Sequence, residues 1–319
     1  MMDENTVKGA IFGLVAGDAL GVPVEFMARE ELDHDPVTGM RANGTHHQPA
    51  GTWSDDSSMA LCLMETLTLH GAGFDDMMAR FLRWGDEGYM TPYGEMFDMG
   101  TATRKALDKY RRGTPPLECG GDGVRDNGNG SLMRILPLAL YLYQTRGPGF
   151  SRDPEAYGII HSASSLTHAH PISLIACDIY CAVANELLQG RSGPEDIQRG
   201  IAAAKAVCAS LPDAVSCLPA FSRVDAAVLQ SLPRSEIRGS GYVLRTLEAA
   251  LWCFLHTRSY RDCVLAAVNL GEDTDTTGAV AGGLAGLRYG PGGIPEEWLD
   301  VIARRADIEA LCCAFAGSL

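Results

Sequence analysis

The sequence lacks the features that mark membrane, secreted and zinc-binding proteins. No run approaches the roughly 18 consecutive apolar residues of a membrane span, and the N-terminal segment MMDENTVKGA is acidic where a signal peptide is basic. The ten cysteines include no Cys-x-x-Cys pair, which argues against a zinc knuckle. We therefore expect a cytoplasmic protein with no membrane segment, whose cysteines are reduced and act as small apolar residues.

Positive charge is scarce for a chain of this length. Lys and Arg number 26 against 40 Asp and Glu, which gives a formal net charge of -14 over 319 residues. Such a charge repels phosphate backbones and anionic lipids at long range, so we expect neither a nucleic-acid nor a membrane partner. If the substrate is itself anionic, a bound divalent cation is the expected means of neutralising it.

Helical periodicity dominates the apolar pattern. Apolar residues recur at helical intervals in two segments, at Leu244, Leu247, Leu251 and Phe254 and at Ile172, Ala176, Ile179, Val183 and Leu187. Apolar and polar residues rarely alternate over four or more positions, as they would in a half-buried strand. The sequence therefore predicts an all-α fold, with irregular stretches at 30–52, 113–130 and 211–241 where Gly, Pro, Asn and His accumulate.

Two stripes of glycine lie near the two ends of the chain. Each repeats every four residues, at Gly9, Gly13, Gly17 and Gly21 and at Gly278, Gly282, Gly286 and Gly290. A glycine costs a helix roughly 0.5 to 1 kcal/mol relative to alanine, but this spacing puts each set on nearly one face, where another backbone can approach. We predict that the first and last helices are central, tightly packed elements; glycine-rich loops are the alternative.

Two clusters of acidic and hydroxyl residues each precede an apolar run. One is WSDDSS at residues 53–58 and the other is GEDTDTTG at residues 271–278. Helix capping accounts for one polar residue in each cluster but not for the remainder. Together the clusters offer the oxygen ligands that Mg²⁺ and Mn²⁺ prefer. If the carboxylates converge, each pair about 5 Å apart repels by roughly 3 kcal/mol at an effective dielectric near 20, so a cation or proton uptake is needed.

Two other kinds of aspartate-rich site fit less well. The order Asp273-x-Asp275-x-Thr277-Gly278 matches half of an EF-hand loop, but Leu284 occupies the position of the bidentate Glu, which excludes calcium sensing. All-α prenyl-transferring enzymes also hold magnesium on facing helices. The first cluster lacks their closing acid, and no basic cluster for a diphosphate is evident near it.

Six segments of the chain form a series with a characteristic order. They are GAIFGLVAGDALGVPVEF (9–26), GTWSDDSSM (51–59), GNGSLMRILP (128–137), LTHAHP (166–171), GYVLRTLEAALW (241–252) and NLGEDTDTTGAVAGGLAG (269–286). In this order they resemble the ADP-ribosylglycohydrolases, most closely the bacterial branch typified by the dinitrogenase-reductase-activating glycohydrolase. The segments run from one end of the chain to the other, so the resemblance implies a single compact multi-helix domain over residues 1–319.

The resemblance implies a dinuclear Mg²⁺ or Mn²⁺ centre in a cleft, which cleaves the N-glycosidic bond between ADP-ribose and an acceptor side chain, usually arginine. The implied metal ligands are Ser54, Asp55, Asp56, Asp273, Asp275 and Thr276. The family most often has Thr where this chain has Ser54, and either hydroxyl can coordinate. The implied catalytic residues are Glu25, Asp56 and Asp126. Glu25 would act as a gate or base near the metals, with a surface carboxylate at a helix end as the alternative.

Further positions are implied to contact the substrate. Gly128, Asn129, Gly130 and Ser131 resemble a loop that cradles ribose and diphosphate, with a plain turn as the alternative. His168 is expected to face ADP-ribose, whereas His170 is expected to be structural. Tyr242 is either a cleft aromatic or a core aromatic. Asp126 either holds the guanidinium and donates a proton or is a solvated loop acid, and Arg134 contacts either a phosphate or a helix end.

The expected function is therefore removal of ADP-ribose from a modified protein, with ADP-ribose as the product. Three alternatives stay open: a non-catalytic ADP-ribose reader, a hydrolase of a serine-, nucleic-acid- or O-acetyl-linked conjugate, and a metal-dependent enzyme acting on another nucleotide or lipid diphosphate. The intact acidic clusters and Glu25 argue against a reader, which has less need of all of them. The sequence leaves open the acceptor, the choice between Mg²⁺ and Mn²⁺, and the oligomeric state.

Overall fold

The computed structural model describes residues 2–318, and in that range the chain is built from helices. The α-helices are α1 (Glu4–Gly21), α2 (Arg29–His34), α3 (Asp55–His70), α4 (Phe74–Glu87), α5 (Thr101–Arg111), α6 (Leu136–Arg146), α7 (Pro154–Ser165), α8 (Pro171–Leu188), α9 (Pro194–Cys208), α10 (Pro212–Val215), α11 (Ala226–Ser231), α12 (Val243–His256), α13 (Tyr260–Val268), α14 (Thr274–Tyr289), α15 (Glu296–Leu299) and α16 (Arg305–Gly317). Short 3₁₀ helices cover Val22–Val24, Gly44–His46, Pro116–Glu118, Pro148–Arg152, Leu218–Phe221, Arg234–Glu236 and Pro291–Gly293. Residues 2–318 contain isolated β-bridges but no strand, which confirms the all-α prediction.

The two apolar stripes lie on helices as predicted. α8 and α12 contain them, and Leu247, Leu251 and Phe254 of α12 are buried. Pro171 occupies the first turn of α8, where its missing N–H has no partner to lose. Both helices pack against α14, which places α14 within the core.

The two glycine stripes face each other across the contact between α1 and α14, the most extensive helix-to-helix contact in the described chain. A Cβ added at Gly13 would lie 2.5 Å from the Gly282 carbonyl oxygen, and one added at Gly282 would lie 2.2 Å from the Gly13 oxygen. A Cβ at Gly17 would lie 2.1 Å from the oxygen of Gly278. Only glycine permits this approach, so the predicted close packing is confirmed and the loop alternative is wrong.

The glycine-rich second helix is not the last one, which corrects the sequence-based prediction. α15 and α16 follow α14, and α16 packs against both α1 and α3. The apolar face of α16, which buries Ile308, Cys312 and Phe315, covers this side of the core. The central pair is therefore formed by the first helix and the third helix from the end.

The three stretches predicted to be irregular contain more helix than expected. The first includes α2, and the third includes α10 and α11, whereas the second holds only a 3₁₀ turn. Asp225 caps α11 by accepting hydrogen bonds from the backbone N–H groups of Ala227 and Val228. The short helix α11 is stabilised by this local cap, which composition does not reveal.

Two helices, Glu4–Val24 and Pro171–Leu188, have the length and composition of a membrane span. Neither helix is an unbroken apolar run in the sequence, because Lys8 and Asp18 interrupt the first and Asp178 interrupts the second. In the structure, the most apolar 18-residue stretches of these two helices are 94% and 78% buried. Buried core helices commonly have the length and composition of a membrane span, so these two are weak evidence for one. All ten cysteines are free, and eight of them are buried.

Candidate metal centre and cleft

The first acidic cluster lies at the N-terminus of α3. Ser54 is the N-cap residue, Asp55 and Asp56 form the first turn, and all three are buried. The fully buried carboxylate of Asp18, on α1, accepts hydrogen bonds from Ser54 N at 2.9 and 3.0 Å, from Ser57 N at 3.0 Å and from Ser57 Oγ at 2.5 Å. Asp18 therefore attaches the start of α3 to α1.

The second acidic cluster begins α14 directly beside the end of α1. Thr274 Oγ1 donates to Gly21 O at 2.8 Å. A Cβ added at Gly21 would lie 2.3 Å from the Cα of Asp275, so this contact also requires glycine. Glu272, at a φ of 67°, donates its N–H to Met27 O at 2.8 Å and accepts from Phe26 N at 2.6 Å. These bonds bring the segment that follows α1, with Glu25, to the start of α14.

The two clusters meet although about two thirds of the chain separates them. Thr276 Oγ1 donates to Asp56 Oδ2 at 3.3 Å, and Ser54 Oγ donates to the same oxygen at 3.2 Å. Carboxylate oxygens of Glu25, Asp273 and Asp275 lie within 4.8 Å of one another. Six acidic groups, those of Asp18, Glu25, Asp55, Asp56, Asp273 and Asp275, and the hydroxyls of Ser54 and Thr276 thus surround one junction of α1, α3 and α14.

The electrostatics of this junction are unfavourable for carboxylates alone. Burial, reinforced by the neighbouring carboxylates, raises the pKa of Asp55, Asp56 and Asp275 well above the ordinary aspartate value. Burial also raises the pKa of Glu25 to about 7, against the opposing hydrogen bond with His46 and with the charges of Asp98 and Asp273 adding to the rise. Asp56 Oδ1 is buried and has no hydrogen-bond partner in residues 2–318. An all-oxygen set of mutually repelling groups with an unpartnered oxygen fits a divalent cation.

Three functional candidates were missed by the sequence analysis: Asp18, His46 and Asp98. His46 Nε2 makes a short contact with Glu25 Oε2, and the His46 ring lies 6.1 Å from the ring of Phe26 and 5.1 Å from that of Phe97, centre to centre. The charge of Asp98 contributes to the raised pKa of Glu25 and of Asp55. His46 ends a 3₁₀ helix within the stretch that the sequence predicted to be irregular, Asp98 lies outside the helices, and Asp18 lies inside an apolar helix, so neither spacing nor capping identified them.

A cleft of about 420 Å³ opens over the acidic junction, within the usual size range of ligand pockets. Glu25, Asp55, Asp273 and Thr276 line one part of it together with Asp98. Residues 100–103 at the start of α5, Asp126, residues 128–130 and His168 line the remainder. Ser54, Asp56 and Asp275 are buried and are not among the lining residues.

The sequence profile of one protein family, described as ADP-ribosylglycohydrolase, matches residues 2–318. The chain belongs to the ADP-ribosylglycohydrolase family. It is 33% identical to the ADP-ribosylarginine hydrolase Tri1 of Pseudomonas putida, over 95% of this chain and 76% of that protein. It is 29% identical to the ADP-ribosyl-[dinitrogen reductase] glycohydrolase of Rhodospirillum rubrum, over 94% and 91% of the two chains. A solved structure described as an ADP-ribosylglycohydrolase-related protein complex superposes with a TM-score of 0.79 at 34% identity, covering 99% of both chains.

In this glycohydrolase, the loop at residues 128–131 connects the cleft to the second acidic cluster, residues 271–278. Asn129 Nδ2 donates to Asp273 Oδ2 and to Thr246 Oγ1, both at 2.9 Å. A Cβ added at Gly130 would lie 2.9 Å from His168 Cε1, so the loop packs closely on that ring. Ser131 is fully buried, accepts a hydrogen bond from Cys177 Sγ at 3.6 Å and does not line the cleft.

The two histidines of the LTHAHP segment have different surroundings. His168 is buried against the cleft, and burial, with the charge of Arg134 adding to it, lowers its pKa to about 3. His170 Nδ1 accepts from Ile172 N at 3.2 Å and so caps α8. Arg134 is fully buried and donates to the carbonyl oxygens of Gly130 and, at 3.1 Å, Ala163. Arg134 therefore supports the loop at residues 128–131 from the protein interior, and it does not line the cleft.

Tyr242 and Asp126 stand at the outer part of the site. Gly241, rather than the partly exposed Tyr242, lines the cleft, and Tyr242 is the N-cap residue of α12. Asp126 lines the cleft and accepts from Gly123 N at 3.2 Å, while Lys105 Nζ lies 4.0 Å from its other oxygen.

Proposed function

We propose that this chain hydrolyses the N-glycosidic bond between ADP-ribose and the guanidino group of an arginine side chain. The observation that carries the proposal is the buried junction of two acidic clusters at one part of a ligand-sized cleft. Relatives named ADP-ribosylarginine hydrolase support arginine as the acceptor. We further infer that the substrate is an ADP-ribosylated protein in the cytoplasm, that ADP-ribose is released, and that residues 1–319 act as one domain.

Two Mg²⁺ or Mn²⁺ ions fit this junction. The residues that would hold them are Ser54, Asp55, Asp56, Asp273, Asp275 and Thr276. Their donors are all oxygens, and the unpartnered Asp56 Oδ1 offers a free ligand atom. Bound ions would neutralise the carboxylates and supply Lewis-acid polarisation of ribose hydroxyls or water.

Glu25 is suited to accept a proton at this site. Its raised pKa, about 7, lies near the pH at which a general base is most effective. Its contact with His46, whose ring lies near the rings of Phe26 and Phe97, holds the carboxylate in one orientation. Glu25 would therefore take the proton of the attacking water.

Departure of the arginine requires a proton, because neutral guanidine is a strong base. Asp98 is a better candidate donor than Asp126 because of its burial and its position among the carboxylates of the cleft. Burial raises the pKa of Asp98, and its charge acts on Glu25 and Asp55. Asp126 instead contacts Gly123 and lies near Lys105. We propose that Asp98 holds the guanidino group and supplies this proton.

Residues 128–130 and His168 would hold the ADP-ribose portion of the substrate. The loop is anchored by Asn129 on Asp273 and by Arg134 on Gly130, so its orientation towards the acidic junction is set before substrate binds. Pre-organisation of this kind lowers the ordering cost of binding. His168 stays neutral because of its burial, and it therefore presents a dipole to the substrate rather than a charge.

The experiment that tests the proposal measures ADP-ribose release from matched peptides. An arginine-linked and a serine-linked ADP-ribosyl peptide, together with O-acetyl-ADP-ribose, are incubated with the protein in Mg²⁺ or Mn²⁺ and in EDTA. We expect metal-dependent release from the arginine-linked peptide in preference to the other two. Preference for another conjugate would contradict arginine as the acceptor, and binding without release from any of them would indicate a reader.

A further inference from the structure

The charges that line the cleft are strongly unequal. Five carboxylates line it, those of Glu25, Asp55, Asp98, Asp126 and Asp273. Of the described residues lining the cleft, only Lys105 and Arg125 carry positive charge at neutral pH. Both lie beside Asp126, because Arg125 precedes it in the chain and Lys105 Nζ is 4.0 Å from its Oδ1. Positive charge is thus confined to one side of the cleft.

The two cations are free to contact a ligand. Arg125 is exposed and makes no hydrogen bond or ion pair with any residue in 2–318. The side chain of Lys105 is 67% exposed, and its ion pair with Asp126 is at the outer distance limit for such a pair. Neither side chain supports the packing of the core, so their presence at the cleft has no evident structural cause.

Two neutral donor groups line the same cleft. Residues 101–103 form the first turn of α5, and no side chain caps that helix terminus, so its backbone N–H groups are available to an anion. His168 supplies the second donor. Its Nδ1 lies 2.7 Å from Thr167 Oγ1, and the Thr167 hydroxyl has no other acceptor among the described residues.

The hydrogen bond with Thr167 determines the tautomer of His168. If the hydroxyl donates to Nδ1, the proton of the neutral ring must be on Nε2. His168 is 2% exposed, and its Nε2 has no partner in residues 2–318 although the residue lines the cleft. Within residues 2–318, the Nε2–H of this largely buried ring is therefore an unpartnered donor at the wall of the cleft.

We propose that Lys105 and Arg125 bind the diphosphate of the substrate, with the first turn of α5 and the Nε2–H of His168 as neutral donors. This assignment rests on the proposed function, in which the ribose lies over the acidic junction and the diphosphate extends away from it. A diphosphate entering a chain of net charge -14 needs local positive charge to offset repulsion. Lys105 and Arg125 thereby select conjugates that contain a diphosphate over ribosyl conjugates that lack one.

The test compares two ligands that contain a diphosphate with one that contains no phosphate. Affinities of ADP-ribose, ADP and adenosine are measured by calorimetry in Mg²⁺ for the wild type, for the double variant Lys105→Gln/Arg125→Gln and for Lys109→Gln. Lys109 is an exposed lysine one turn further along α5 that does not line the cleft, which makes it a matched control.

We expect the double variant to bind ADP-ribose and ADP about tenfold more weakly or worse, because charge-assisted hydrogen bonds to phosphate are lost. Its affinity for adenosine and its thermal midpoint should match those of the wild type and Lys109→Gln. Between 50 and 300 mM salt, the wild type should lose more ADP affinity than the double variant does. Unchanged ADP affinity in the double variant, a parallel loss for adenosine, or failure of the wild type to bind either diphosphate would overturn the inference.

The outcome separates this inference from the proposed function. If the double variant loses ADP-ribose affinity while the wild type releases nothing from the arginine-linked peptide, the proposed function is wrong and the diphosphate assignment stands. If the wild type hydrolyses that peptide and the double variant does so with an unchanged KM, the diphosphate assignment is wrong and the proposed function stands.

Discussion

Four aspartates, Asp18, Asp55, Asp56 and Asp275, are buried at the junction of α1, α3 and α14, and burial raises the pKa of each. A folded state that holds several such groups without a counter-charge is less stable than its packing alone would make it. The same arrangement is favourable once a cation is bound. At this scale, loss of a carboxylate that serves mainly as a metal ligand should lower activity without lowering metal-free stability.

Asp275→Asn should separate activity from folding. The amide oxygen can still accept the hydrogen bond that Thr276 N donates to Asp275 Oδ1 at 2.8 Å, while one repelling charge is removed. We expect turnover to fall by more than about 100-fold, since loss even of residues that only support metal ligands typically costs 10- to 100-fold. The thermal midpoint in EDTA should stay equal or rise. Near-normal turnover in saturating Mg²⁺ or Mn²⁺ would contradict the assignment of Asp275 as a ligand.

Asp18→Ala should lower both stability and metal affinity. The change leaves the N–H groups of Ser54 and Ser57 without their acceptor, and an unsatisfied buried donor costs about 1–3 kcal/mol. Removal of a buried charge offsets only part of this loss. Thermal unfolding and metal titration check the result, with Asp3→Ala as the control, because Asp3 is exposed and its side chain caps nothing. Metal affinity equal to that of the wild type would show that Asp18 does not position the first cluster.

At the scale of elements, the α1–α14 pair sets the geometry of the site. Both helices reach the junction, α1 through Asp18 and the following Glu25, and α14 through its N-terminal turn. The interhelical separation is set by backbone atoms of facing glycines rather than by side chains. Any added volume there must shift a helix, and a shift of about 1 Å at reacting groups can cost a large factor in rate.

Gly282→Ala should destabilise the protein and reduce activity together. Its Cβ would lie 2.2 Å from the Gly13 carbonyl oxygen, and overpacking of this kind typically costs about 1–3 kcal/mol. Gly158→Ala is the matched control, because Gly158 is an exposed glycine within α7 with no atom near the added Cβ. It should stabilise by about 0.5 to 1 kcal/mol through helix propensity. Urea unfolding and ADP-ribose release measure both; equal stability of the two variants would refute the packing role.

At the scale of the whole molecule, folding itself assembles the site from the two ends of the chain. Thr274 of one end bonds Gly21 of the other, and Thr276 bonds Asp56. The acidic groups come together only in the folded chain. Their mutual repulsion therefore lowers the free energy of unfolding of the whole protein. Metal and protons should both relieve it.

The pH dependence of stability should consequently change with metal. Glu25 and Asp18 have folded-state pKa values raised by burial to about 7 and about 6. Acids with raised pKa values contribute stability below their unfolded pKa that is lost as pH rises through the folded pKa. In EDTA the thermal midpoint should therefore fall between about pH 4 and about pH 7. Saturating Mg²⁺ should reduce that fall, and an identical profile with and without Mg²⁺ would count against cation binding at the junction.

Much of this protein was determined by sequence alone. The helical periods of α8 and α12, the facing glycine stripes and the two helix-opening acidic clusters are local patterns, and local patterns reflect short-range geometry that the sequence states directly. The order of the six segments also indicated the family and the residues proposed as metal ligands. The errors concern short helices such as α10 and α11 and the place of the second glycine-rich helix, which α15 and α16 follow.

Only the tertiary structure decided which groups meet. Asp18 interrupts an apolar helix in the sequence, yet its carboxylate caps α3. His46, in a short 3₁₀ helix, and Asp98, outside the helices, lie beside Glu25. Arg134 proved to brace the loop from behind. These relations join residues far apart in the chain, and their partners are selected by how helices pack, which no local period encodes. The sequence contains the chemistry of each group, whereas burial and proximity, which set pKa values and ligand geometry, exist only in the folded chain.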